Sequence, residues 1–253
     1  VPLHQQRSGA GEPLLLIHGI GSDLHAWDPI VERLAETFDV IAIDLPGFGG
    51  SASLSADIVP TPAALALRVA EHLDELGIAT AHVAGHSLGG WIAMELGLLG
   101  RARSVAAICP AGTWRRPLPP DHLTVTVQRL GRLAQPFIPL ALHSPHLRRI
   151  VLRSFVGHPE RVPYAVAVHM TRAHVGSGDY ARVSRAMRAG YFEDFAALAV
   201  PTVVLFGAID RLLKPRTIEA PSVHSVVVPD CGHQAMWDAP ERTIEEITKI
   251  AGR

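Results

Sequence analysis

The stretch Ala81-His82-Val83-Ala84-Gly85-His86-Ser87-Leu88-Gly89-Gly90 decides the fold. Ala81 to Ala84 reads as a short buried strand and residues 90–99 as a helix, so Gly85-x-Ser87-x-Gly89 falls on the turn between them. A serine at the tip of so sharp a turn has strained dihedrals and crowded neighbours. Gly85 and Gly89 carry no Cβ to clash, which lets the Ser87 hydroxyl project from the end of the strand. The helix that follows opens on unpaired N–H groups, which favour negative charge. Ser87 also fits a plain helix cap; the strand-turn-helix setting favours an exposed nucleophile.

Outward from this turn, short apolar runs alternate with helical patterns. Leu14 to Ile17 is a strand closed by His18-Gly19-Ile20-Gly21. Residues 26–37 read as a helix with Trp27, Ile30, Val31 and Leu34 on one face. Val40 to Ile43 is a strand, residues 62–76 a helix opened by Pro62 and closed by Gly77, and Val105 to Cys109 another strand. After a long interval Val203 to Phe206 and Val226 to Val228 resume as strands, and residues 240–251 close the chain as a helix. Strands that alternate with helices and are apolar on both faces predict an α/β fold, a mostly parallel sheet covered on both sides.

The rhythm breaks at Pro110. Prolines cut residues 113–192 into short helical pieces with no clear buried strand; Leu123, Val127, Leu130 and Leu133 fit one amphipathic helix, and Leu147, Ile150, Val151 and Phe155 another. We read 113–192 as a helical cap inserted into a core formed by 1–112 and 193–253. The net charge is -1, but it is unevenly spread. The cap holds 12 Arg, no Lys and 3 acids, a balance of +9, against -10 for the remainder. These arginines fit either solvated helix faces or a basic lid that steers an anionic substrate.

A serine needs a base, and the base an orienting acid. His233 follows the last strand, Asp210 follows Val203 to Phe206, and both loops reach the C-terminal edge of the sheet, where ligands bind in such folds. The chain order is Ser87, Asp210, His233. Asp230 and Asp238 are the rival acids; Asp230 lies too close in sequence to His233, and Asp238 reads as the start of the final helix. Stabilising a tetrahedral oxyanion needs two N–H donors, for which Leu88 and Ile20 are the candidates. Trp27 fits an acyl pocket or the core equally. Arg115-Arg116 and Arg148-Arg149 are the cap pairs to test for an anionic substrate, with Arg115 and Arg116 the candidate substrate-binding residues. Cys231, two positions from His233, reads as a small buried residue; reached by solvent, its thiol would make the enzyme sensitive to thiol reagents.

These pieces together resemble the α/β-hydrolase superfamily of serine hydrolases, in particular compact bacterial esterase-type enzymes with a helical cap. The resemblance rests on residues 16–21, 44–51, 85–90, 207–211 and 232–234 with Pro240-Glu241, and leaves only the cap without motifs. It implies an α/β-hydrolase sheet, Ser87, Asp210 and His233 as the triad, and hydrolysis of a carboxylic ester through an acyl-enzyme. Serine as nucleophile separates the chain from haloalkane dehalogenases and epoxide hydrolases. Thioesterase, lactonase, carbon–carbon hydrolase and perhydrolase chemistry fit the same scaffold, as does a ligand receptor that has lost turnover. Too few residues precede Leu14 for two opening strands, so one is expected near Leu3 to Arg7, at a trimmed edge.

Composition excludes other classes. The 253 residues are 48% hydrophobic and 19% charged, as expected of one globular domain with an insertion. Near-neutral charge argues against a nucleic-acid binder, and two cysteines build neither a disulfide framework nor a metal site alone. No apolar run reaches membrane-spanning length. The expectation is therefore a small-molecule ester or thioester substrate, anionic or carrier-bound, with no cofactor, metal, nucleic acid or membrane partner. The absence of a basic-then-apolar leader predicts a cytoplasmic location.

Overall fold

The computed structural model describes residues 2–218 and 220–252. Its sheet has seven strands among the described residues: β1 (Gln5–Ser8), β2 (Glu12–Ile17), β3 (Phe38–Ile43), β4 (Ala81–His86), β5 (Ala102–Ile108), β6 (Thr202–Gly207) and β7 (Val223–Val228). They lie in the order β1-β3-β2-β4-β5-β6-β7. Only the β1–β3 pairing is antiparallel, Gln5 facing Ile43; the five other pairings are parallel. The expected opening strand exists, shifted slightly downstream.

Period-two alternation sends each strand's side chains to opposite layers. Leu15 and Ile17 pack on one side with Ile41, Val83 and Val105. That layer is covered by α2 (Pro62–Glu75) and α3 (Leu88–Leu98). Leu14 and Leu16 pack on the other side with Val40, Ala84 and Val203, beneath α1 (Asp28–Leu34) and, later in the chain, the helix Pro240–Ala251. Local signals set the helix ends. Thr61 caps α2 by accepting from the Ala64 N–H at 3.1 Å, Pro62 opens it, and Gly77 ends it at φ +72°. The helix expected at 26–37 is shorter: a 3-10 turn, Leu24–Trp27, leads into α1, which stops at Leu34.

Between β5 and β6 the described residues form no strand but five helices: α4 (His122–Leu133), α5 (Ile138–His143), α6 (Pro145–Leu152), α7 (Tyr164–Gly176) and α8 (Tyr180–Arg188). Ile138, Leu142, Leu152, Val162, Ala167 and Val175 make a small core of their own. Val183 and Met187 of α8 instead join the main core over α2 and α3. The amphipathic helix read from Leu123, Val127, Leu130 and Leu133 is present as α4, with its apolar side turned outward. Gln128 faces inward, donating to the carbonyls of Val175 and Ser177 at 3.0 and 2.9 Å, while Leu123, Val127, Leu130 and Leu133 are exposed. The chain ends with α9 (Ala235–Asp238) and α10 (Pro240–Ala251).

Candidate active site

Every candidate catalytic group follows the C-terminal end of a parallel strand. Ser87 follows β4 directly, with φ 53° and ψ -113°, and Leu88 opens α3. A Cβ on Gly85 would land on the Gly89 carbonyl, and one on Gly89 on the Ile17 carbonyl. Only glycine permits this turn. Its backbone is anchored by Ser87 N–H donating to Ile108 O and Ala111 N–H donating to Ser87 O, both at 2.9 Å. Among the described residues three non-glycine residues have positive φ, namely Ser87, Cys109 and Asp230, and all three sit just past the ends of β4, β5 and β7. Backbone strain is concentrated on the edge that carries the candidate site.

Asp210, three residues past β6, and His233, five past β7, meet at 2.7 Å between Oδ2 and Nδ1. Their loops are tied by Ile209 N–H donating to Cys231 O at 3.0 Å. Burial pushes the Asp210 carboxyl up, but the hydrogen bond and charge of His233, with the N–H groups of Leu213 and Leu212, bring it below its ordinary value. It is an anion that holds an imidazole. The rivals serve elsewhere. Asp230 is exposed and pairs with His158 at 2.9 Å. Asp238 does not begin the last helix; it ends α9, and its carboxylate accepts from the N–H of Gly157 at 2.7 Å and of Gly232 at 2.8 Å.

For His86, beside Ser87, the sequence suggests only packing beneath the nucleophile turn. Its Nε2 donates to the His233 carbonyl at 2.9 Å, and the two rings meet edge-on with centroids 4.8 Å apart. Burial, then the charge of His233, pushes His86 down to about 3, so it stays neutral with Nε2 as donor. The base is thus held at its ring by Asp210 and at its backbone by His86. Among the described residues Ser87 Oγ makes no hydrogen bond, an open geometry common before substrate binds.

The turn after β2 closes over the serine. A Cβ on Gly19 would lie 3.0 Å from Ser87 Cβ. Buried His18 donates from Nδ1 to the Gly19 carbonyl at 2.7 Å, and its Nε2 accepts from the Leu45 N–H at 2.9 Å. Burial lowers its pKa, consistent with this neutral form. In a trans peptide the Ile20 N–H points away from the held carbonyl. Leu88, first in its helix, has an N–H without an intrahelical partner. The site therefore offers a serine, a buried carboxylate–imidazole pair, and two fixed N–H groups nearby.

The other candidates separate. Trp27 is fully buried against Ile30 and Leu34, so it belongs to the core rather than to a pocket wall. Arg115 and Arg116 are exposed. Cys231 is fully buried, and burial pushes its thiol up to about 12. Cys109 Sγ, an Asp210 oxygen and a His233 nitrogen lie within 4.8 Å of one another. Burial, then Asp210, raises Cys109 well above its usual value, and Asp210 is already committed to His233, so this trio is ill suited to a metal.

Residues of α7, of α8 and of the turn between them seat against the turns that follow β2 and β3. A Cβ on Gly21 would strike His174 and Tyr180, and one on Gly47 would strike Asp179. His169 on α7 reaches Asp23 at 2.8 Å, beside a cavity of about 220 Å³ lined by Ser22, His25, Val166, Met170 and Trp237.

The sequence model of the Alpha/beta hydrolase family matches residues 14–246. Over 201 residues the chain is 34% identical to Epoxide hydrolase EphH of Mycobacterium tuberculosis, covering 74% of this chain and 94% of that protein. Over 111 residues it is 41% identical to the dihydrolipoyllysine-residue acetyltransferase component of the acetoin cleaving system of Cupriavidus necator, 43% of this chain but only 29% of that longer protein. Among solved structures, the malate-bound esterase of Thermogutta terrifontis superposes with a TM-score of 0.77 at 25% identity, covering 99% of this chain and 93% of that one.

Proposed function

The chain belongs to the Alpha/beta hydrolase family, and on that premise we propose that it is a serine hydrolase cleaving a carboxylic ester through an acyl-enzyme. The observation that carries this reading is the 2.7 Å Asp210–His233 pair beside a strained Ser87. His233 Nε2 takes the Ser87 proton as Oγ attacks the carbonyl, and Asp210 stabilises the imidazolium that forms. The Ile20 and Leu88 N–H groups receive the oxyanion, and His18 fixes the first of them through the Gly19 carbonyl. Collapse returns the proton to the leaving alcohol. Water activated by His233 then releases the acid and restores Ser87.

Epoxide hydrolysis, the activity named for the mycobacterial relative, fits a serine poorly. An epoxide opened by Ser87 Oγ would leave an ether, which water does not release, whereas an acyl ester turns over. Residues 113–192 act as the lid in this reading, which is supported by the seating of His174, Tyr180 and Asp179 against Gly21 and Gly47 and of His169 on Asp23. The lid's unpaired arginines, among them Arg115 and Arg116, favour an anionic or carrier-bound acyl substrate.

A panel of p-nitrophenyl esters of graded chain length, neutral and carboxylate-bearing, tests the reading. Turnover with a burst of p-nitrophenol, and preference for the acidic members, is the expected result. No turnover on any member overturns it.

A further inference from the structure

The cap carries a feature that hydrolysis of a soluble ester does not use. Leu123, Val127 and Leu130 recur at helical spacing along the outer side of α4, with Leu133 beside them, and Phe137 and Leu140 continue through the turn into α5. All six are between 58% (Val127) and 78% (Leu133) exposed. Monomeric proteins rarely leave so long an apolar run in water without a partner.

The same segment is cationic. Its three acids are engaged: Asp121 caps α4 at the Thr124 N–H, Glu160 pairs with His158 and Asp179 with Arg182. Among the described residues Arg115, Arg116, Arg129, Arg148 and Arg149 make no ion pair, and Arg129 stands on α4 itself. Protruding leucines beside unpaired arginines are the pattern of a helix that lies in a lipid–water interface, its apolar side in the acyl region and its cations among anionic headgroups.

We propose that the outer side of α4 and α5 docks the protein on an anionic phospholipid surface. The sequence expectation of no membrane partner rested on spanning length, and no described helix is long and apolar enough to cross a bilayer; lying on one needs neither. A second copy of this chain fits less well. A self-complementary contact would set the same basic, acid-poor surface against itself. An acidic protein partner would need a groove for its own apolar side chains, whereas these six stand proud of the surface.

The experiment is co-flotation of the whole protein with vesicles of phosphatidylcholine alone and of roughly equal parts phosphatidylcholine and phosphatidylglycerol. The expected result is binding to the anionic vesicles only, weakened at high salt as headgroup attraction is screened. The combined variant Leu123→Ser, Leu130→Ser, Leu133→Ser loses about 100-fold or more of the partitioning. Arg129→Glu loses about 5-fold or more. The three leucines are exposed and outside the catalytic site, so turnover of a neutral soluble p-nitrophenyl ester by the triple variant stays near wild type and reports that it folds, while the unfolding midpoint reports the fold of Arg129→Glu. No vesicle binding, equal binding to neutral vesicles, or full binding by the triple variant overturns the proposal. So does a dimer that the triple variant breaks without any vesicle binding. Ser87→Ala should bind vesicles as wild type does, which separates failure of this surface from failure of the hydrolase reading.

Discussion

Asp23, on the loop after β2, holds His169 of α7 at 2.8 Å, joining the candidate oxyanion turn to the helical segment between β5 and β6. The hydrogen bond to Asp23 raises His169 above 6.5 despite burial. Burial raises Asp23, but His169 more than offsets this and brings it below 3.8. The imidazolium's contribution is complete below 6.5 and is lost as pH climbs through its raised value; the carboxylate's is complete above 3.8 and is lost as pH falls through its lowered value. The latch is therefore strongest between these limits. Amide exchange in α7, corrected for the intrinsic rate, should quicken as pH rises above 6.5 and through the raised His169 value, and His169→Gln should abolish that dependence. A wild type without pH dependence would refute the latch.

Asp210 and Asp238 should fail in different ways. Asp210→Asn keeps the shape but removes the charge that holds His233, and kcat should fall roughly a thousand- to ten-thousand-fold with little change in the unfolding midpoint. Asp238→Ala strips acceptors from the buried N–H groups of Gly157 and Gly232. It should destabilise the fold by about 1–3 kcal/mol in denaturant titration while costing kcat far less. The reverse pattern would reassign the acid.

The native enzyme should resist thiol reagents, because Cys231 is buried as the sequence suggests. Both cysteines are buried with raised thiol pKa values, about 12 for Cys231. Iodoacetamide should therefore modify neither until the chain unfolds. Mass spectrometry of the treated native protein checks this.

If the lid's arginines steer substrate, Arg115→Glu with Arg116→Glu should lower kcat/KM for a carboxylate-bearing ester about tenfold or more and flatten its salt dependence, with neutral esters unaffected. Unchanged kinetics on the anionic ester would leave these arginines as solvated surface.

The main chain of the fold and the three catalytic candidates were legible because each is written locally. Gly85 and Gly89 announce a turn that no other residue permits, and apolar strands buried on both faces read as continuous runs. What stayed hidden depends on partners distant in sequence. His86 meets His233, 147 residues away, and His18 works through the carbonyl of its neighbour, so neither leaves a periodic signal. Only the placement of His86 beside Ser87 and of His18 before the Gly19 turn could have flagged them. Which side of α4 faces outward stayed hidden for a related reason. Periodicity finds an apolar side but does not say which side the tertiary structure covers, and here Gln128 took the inner one. Trp27 was ambiguous until α1 was seen to fold over it.

Labelling with a fluorophosphonate probe tests the central claim most directly, because it reports an activated serine whatever the natural substrate. Wild type should take up one equivalent at Ser87, Ser87→Ala should take up none, and Asp210→Asn should react far more slowly. Absence of labelling in wild type, or equal labelling of Ser87→Ala, would contradict the account.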